Sequence, residues 1–93
     1  MAKFYTIMLN PRGNPAQYST AIEGALSSVV QDWLRFTTYQ YIVLTDRGAE
    51  QIYRAVIAQL PPESHVLVMA LEAGDRHGYV SQMVLDWVKR NSP

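Results

Sequence analysis

The chain contains no cysteine. That excludes a disulfide framework and any zinc site built on thiolates. Histidine occurs only twice, at His65 and His77, and two scattered imidazoles give no geometry for a Ser-His-Asp arrangement. No apolar run approaches the eighteen or so residues that a membrane helix needs, and no charged leader precedes an apolar stretch at the start. A cytoplasmic protein without membrane association is therefore expected. Nor is there an excess of charge of either sign. Eight basic residues balance eight acidic ones in 93 positions. Sequence-independent nucleic-acid binding rests on many phosphate-neutralising Lys and Arg side chains, and this balance argues against it, although a dimer would still be able to assemble a local basic patch. Repeats, low-complexity segments and linkers are also missing.

What is present suits one compact domain over residues 1–93 with a hydrophobic core: 48% of the residues are apolar or aromatic. Residues 3–9 are β-rich and end in the turn formers "NPRGNP". Asn14 then caps a helix and Pro15 takes its first position. Tyr18, Ile22, Ala25, Leu26, Val29, Val30 and Trp33 follow at helical spacing. The segment Leu34 to Thr45 is rich in β-branched and aromatic residues but too long for one strand, so a hairpin is expected near Thr37-Thr38. Asp46 is the expected cap of a second helix, whose stripe runs Ala49, Ile52, Tyr53, Val56, Ile57 and Leu60. Pro61-Pro62 ends it. "HVLVMAL", His65 to Leu71, reads as a strand apolar on both faces. The loop "EAGDRHG" follows. Val80, Met83, Val84, Trp87 and Val88 form a last amphipathic helix, with Ser81 as its expected cap.

The order β-α-β-β-α-β-α indicates an α+β fold. Its first six elements are the ferredoxin-like, or split βαβ, pattern over an antiparallel sheet, and the C-terminal helix is an addition. A sheet with one wet face alternates apolar and polar residues. Here Tyr5, Ile7 and Leu9 line one face of the first strand while Phe4 and Met8 line the other, so the second face needs a cover. The C-terminal helix is one candidate and the sheet of a partner copy is the other. The expectation is a homodimer, with Phe4, Tyr39, Tyr41 and Trp87 at its interface.

The ordered segments resemble a family of small bacterial proteins termed SinR-like, relatives of CRISPR-associated protein two, the small subunit of the spacer-adaptation complex. "IMLN" (Ile7 to Asn10) stands where the family's first strand ends in Tyr-Asp-Leu. Tyr18 matches a helical Tyr. "WLRFTTYQYIVLTD" resembles a Trp/aromatic segment leading to Trp-aliphatic-Thr-Asp, with Tyr41 in place of the second Trp. "AEQI", "HVLVMAL" and "LDWVKRN" resemble the family's second helix, its last strand and its closing helix. The resemblance implies a ferredoxin-like homodimer. In some members an acid ending the first strand binds a divalent metal across the dimer axis and supports nuclease activity.

In this chain that position is Asn10. Magnesium is usually held by carboxylates together with substrate phosphate oxygens, and two copies of Asn10 bring no negative charge. The turn reading, an Asx-type turn before Pro11, therefore outweighs a ligand role. No cofactor is expected; the alternative is Mg²⁺ or Mn²⁺. Four further residues are candidates for binding. Arg12 lies in "PRGN", before a helix N-terminus that offers backbone N–H groups to an anion; an ordinary turn is the competing account. Arg35 contributes to a basic surface with Arg47, Arg54, Lys89 and Arg90, diluted by Asp32, Asp46, Glu50 and Asp86. Arg76 and His77 sit with Asp75 in the glycine-bounded loop, too few groups for a metal or acid–base site. Tyr39, Tyr41 and Phe4 offer rings for base stacking, but a place in the core or the interface explains them more simply. The sequence thus favours a non-catalytic interaction module binding a protein or nucleic-acid partner. A metal-dependent RNA or DNA phosphodiesterase, and a small regulatory or toxin–antitoxin component, are the alternatives.

Overall fold

A computed structural model describes residues 2–72, 78 and 82–91. Strands β1 (Lys3–Asn10), β2 (Asp32–Thr37), β3 (Gln40–Thr45) and β4 (His65–Leu71) form one antiparallel sheet in the order β2-β3-β1-β4. Helices α1 (Ser19–Ser27) and α2 (Ala49–Ile57) connect β1 to β2 and β3 to β4, and α3 (Gln82–Asn91) follows β4. The molecule is α+β. Among the described residues no helix is long and apolar enough to cross a membrane.

The central strand β1 divides the core in two. Its odd residues Tyr5, Ile7 and Leu9 join Tyr41 and Val43 of β3, and Ile22 and Leu26 of α1 with Ile52 and Val56 of α2 close over them. Its even residue Phe4 lies on the opposite face, in a second cluster with Leu34 of β2 and Trp87 of α3. Ile42, Leu44, Val84 and Val88 pack against that cluster. Side chains alternate across a strand with a period of two, so a strand apolar at both parities requires a layer on each side. The C-terminal helix provides the second layer within the chain.

Phe4 and Trp87 meet edge to face, with ring centroids 5.8 Å apart at 65°. The Trp87 indole Nε1–H donates to Asp32 Oδ2 at 3.1 Å, while Asp32 Oδ1 accepts the Trp33 amide at 2.9 Å. One carboxylate thus ties α3 to the start of β2 and leaves the indole N–H satisfied in its buried site.

Several local expectations need correction. The helical stripe carried through to Trp33 stops early: α1 ends at Ser27, and Trp33 sits in β2, stacked edge to face on Tyr41 at 6.0 Å. The spacing of Val29, Val30 and Trp33 fits a helix and a turn followed by a strand equally well. Pro15 opens a single turn of 3₁₀ helix, Pro15–Tyr18, before α1 begins. Asn14 caps that turn as expected, its Oδ1 accepting the Ala16 amide at 3.0 Å. Asp46 does not cap α2; the cap position is Gly48, without a side-chain bond. Thr45 Oγ1 instead accepts the Arg47 amide at 3.0 Å and holds the turn one step earlier. Met83 leaves the buried stripe of α3 and is 67% exposed. Ser81, the expected cap of α3, lies outside the described residues. The hairpin expected near Thr37-Thr38 is present, with Thr38 and Tyr39 as the turn that joins β2 to β3.

Because α3 is anchored chiefly through Trp87, replacing that residue tests the second layer. Trp87→Ala should lower stability by about 3 kcal/mol or more through lost burial. Trp87→Phe keeps the ring contact with Phe4, removes the bond to Asp32 and should cost about 1 kcal/mol. Urea denaturation followed by circular dichroism measures both, and a Trp87→Phe chain as stable as the unmodified one would mean that the Asp32 bond adds nothing.

Candidate functional site

Three groups of residues merit description as sites. The first is the end of the sheet where β1 stops. Asn10 is exposed there and pairs in register with His65 at the start of β4. Pro11 to Asn14 then clasp the loop between α2 and β4. The Arg12 amide donates to Ser64 Oγ at 3.0 Å, and Ser64 Oγ donates onward to the Pro61 carbonyl at 2.7 Å. The Arg12 guanidinium meets Glu63 Oε2 at 3.1 Å. Glu63 adopts a left-handed φ of 69° and Gly13 one of 93°; glycine adopts this conformation freely, whereas Glu63 is strained in it. The "PRGN" segment therefore fastens two loops, and its arginine is engaged by a carboxylate. That is an ordinary structural account of Arg12, and the 3₁₀ turn behind it is too short to present a helix N-terminus to an anion.

No carboxylate accompanies Asn10 on its strand. Among the described residues no three of His, Cys, Asp or Glu gather as a metal-holding group. Arg76 and His77 fall outside the described residues.

The second group was not anticipated from the sequence. Tyr41 is fully buried beneath α1, and its hydroxyl donates to Glu23 Oε2 at 2.9 Å. Arg35 lies 3.5 Å from the same carboxylate oxygen and donates to Ser19 Oγ at 2.9 Å. Burial, and then the hydrogen bond to Glu23, push the Tyr41 hydroxyl up from 10.0 to about 12. A phenol that holds its proton this firmly is a poor acid–base catalyst near neutrality. The arrangement pins α1 to β2 and β3. A signal for it existed in the sequence. Arg35 is in phase with Trp33 on the helix-covered side of β2, opposite Tyr41, and a cation there calls for an anion from the overlying helix.

Arg54 likewise pairs with Glu50 one turn earlier, at 3.5 Å. With Arg12 and Arg35, three of the arginines considered for an anion-binding surface are matched to carboxylates. The aromatic rings do not form a stacking platform either. Phe4 and Tyr41 lie on opposite faces of the sheet, both buried, and Tyr39 projects from the hairpin turn, 55% exposed. Of the four residues expected at a dimer interface, Phe4, Tyr41 and Trp87 are buried inside the chain, which leaves Tyr39 alone on the surface. Hydrophobicity requires these side chains to be covered, and α1 and α3 supply the cover.

The third group is exposed and apolar. On the face that α3 shares, β4 presents Leu67, Met69 and Leu71 to solvent, at 52%, 46% and 39%. On the helix side, Ala49, Glu50 and Tyr53 of α2 face Val66, Leu67 and Val68 across a shallow groove of about 300 Å³ that runs beside β4. Comparison of the chain with protein-family models, with curated proteins and with solved structures finds no match.

The Tyr41 network makes a pH prediction. A hydroxyl whose folded-state pKa is raised contributes stability that is complete below pH 10, the unfolded value, and is lost as pH climbs toward 12. The two-unit shift corresponds to about 2–3 kcal/mol. Tyr41→Phe should cost about 1–2 kcal/mol at pH 8, because Glu23 loses a donor, and should flatten the alkaline decline relative to the unmodified chain. Urea midpoints measured at pH 8 and pH 11 check this; parallel declines would show that Tyr41 does not carry the effect.

Proposed function

We propose that this chain is a non-catalytic interaction module of the SinR-like family, relatives of CRISPR-associated protein two, with a ferredoxin-like architecture, and that it acts in the cytoplasm as a homodimer whose ligand is protein. The architecture is supported by the strand order β2-β3-β1-β4. In it β1 and β2 run the same way with β3 between them, and β3 and β4 run the same way with β1 between them. These are two interleaved split βαβ units, and α3 is an addition on the far face.

The observation that carries the functional reading is the row Leu67, Met69 and Leu71. Exposed apolar residues scattered singly are normal, but a contiguous row on a regular strand marks an interaction surface. Protein is favoured over nucleic acid because the arginines at positions 12, 35 and 54 are matched to carboxylates and the chain carries no net charge. Neutral Asn10 at the family's acidic position supports the absence of catalysis, since a hard divalent cation there requires a carboxylate.

Light scattering after gel filtration should give twice the chain mass, and a clean monomer would overturn the homodimer. RNA and duplex DNA incubated with the protein and Mg²⁺ or Mn²⁺ should remain intact. Cleavage that chelation abolishes and that Asn10→Ala also removes would establish the phosphodiesterase instead.

A further inference from the structure

The two edges of the sheet are built differently. β2 carries a register shift between Arg35 and Thr37, and Asp32 and Arg35 stand along it. Bulges and charged side chains are the devices by which proteins prevent another strand from adding to an edge. β4 has none of them. Its sequence HVLVMAL contains no Asp, Glu, Lys, Arg, Pro or Gly, and it pairs with β1 in unbroken register from Phe4 opposite Leu71 to Asn10 opposite His65.

The backbone direction at that edge follows from one bond. The Leu9 amide donates to the Tyr39 carbonyl at 2.7 Å, so the odd residues of β1 turn their backbone groups toward β3 and the even residues turn theirs toward β4. Antiparallel pairs alternate in this way. His65, Leu67, Met69 and Leu71 therefore bond inward to β1. Val66, Val68 and Ala70 turn their N–H and C=O groups to the outer edge, which no strand among the described residues pairs.

We propose that this edge pairs with the same edge of a second copy, antiparallel about a two-fold axis through Val68, so that two four-stranded sheets become one continuous sheet. The inference rests on the homodimer reading above and assigns its interface. About Val68 the strand reads nearly alike from both ends: Leu67 answers Met69, and Val66 answers Ala70. Val68 then faces the partner's Val68, and Val66 faces the partner's Ala70, as hydrogen-bonded pairs that satisfy the outward groups. Leu67 meets the partner's Met69 as the closer, non-hydrogen-bonded pair on the face that α3 leaves bare. On the other face the grooves beside Ala49, Glu50 and Tyr53 come together across the axis. The strand brings no charge to the axis, and Glu50 is matched to Arg54 of its own helix. An unrelated extended peptide would gain the same backbone bonds but not this symmetric match of side chains, which selects a second copy as the occupant. Pairing along one strand edge makes a small interface, at the low end for specific association, so the dimer is expected to exchange with monomer.

A single cysteine tests the register without interference, because the chain has none. Val68→Cys brings two thiols onto the axis with Cα atoms about 5.5 Å apart, inside the range a disulfide spans. Oxidation should give a covalent dimer on a non-reducing gel, while Gln31→Cys, exposed near the opposite edge, should give only background. Leu67→Lys combined with Met69→Lys replaces exposed side chains, should keep the native circular dichroism spectrum, and should shift sedimentation equilibrium to monomer. A dimer that survives the double substitution and does not cross-link at position 68, or that cross-links equally at position 31, overturns the β4 pairing and leaves the homodimer standing. An unmodified chain that stays monomeric at its highest soluble concentration overturns both.

Discussion

The structure depends on one constraint, a central strand that is apolar at both parities. Tyr5, Ile7 and Leu9 demand cover on one side of β1, and Phe4 demands it on the other. Every larger feature answers that demand. α1 and α2 close the first side with Ile22, Leu26, Ile52 and Val56. α3 crosses to the second side, where Trp87 seats against Phe4 and is held by Asp32. The cover is uneven. The first face is covered except for the groove beside β4, whereas on the second α3 reaches Phe4, Leu34, Ile42 and Leu44 but leaves the β4 residues Leu67, Met69 and Leu71 bare. The apolar surface available for association is the remainder of this division, concentrated at one edge of the sheet.

Polar side chains at the layer boundaries serve the same packing. Asp32 stands in phase with Leu34 beneath α3 and accepts from an indole; Arg35 stands in phase with Trp33 beneath α1 and meets Glu23. Each places a charge at a half-covered position and supplies its partner from the helix above. Exposed ion pairs such as Arg12 with Glu63 and Arg54 with Glu50 contribute little energy, but they occupy guanidinium groups that an anionic ligand would otherwise recruit. Electrostatics here fix the orientation of layers more than they build a recognition surface.

The element order was legible because Phe4 to Leu9 and His65 to Leu71 are short apolar runs bounded by turn formers and Ala49 to Val56 carries a helical spacing. The hairpin was legible because twelve residues rich in β-formers exceed one strand. Boundaries were not. Trp33 satisfies a helical stripe and a strand alternation equally, and only the packing of Tyr41 against it decides. Asp46 has the chemistry of a cap, yet the helix begins later, at a residue that Gly48 precedes. The interface residues misled for a related reason. Hydrophobicity states that Phe4, Tyr41 and Trp87 must be covered, but whether the cover comes from the same chain or another depends on where α3 lands, which is a long-range property.

That distinction also bears on Asn10. Its register partner is His65, at the end of the same strand that carries the bare apolar row. What stands at this end of the sheet is a neutral amide, and the nearby Glu63 is already spent on Arg12. The resources of this end go to fastening two loops, which fixes where β4 begins and hence the phase of its side chains. Shifting β4 by one residue would exchange Leu67, Met69 and Leu71 with Val66, Val68 and Ala70 across the sheet, burying the large residues and exposing the small ones. The clasp at Arg12 and Ser64 is thus coupled to which apolar row faces outward, and the segment best placed for chemistry works to set the register of the strand best placed for contact.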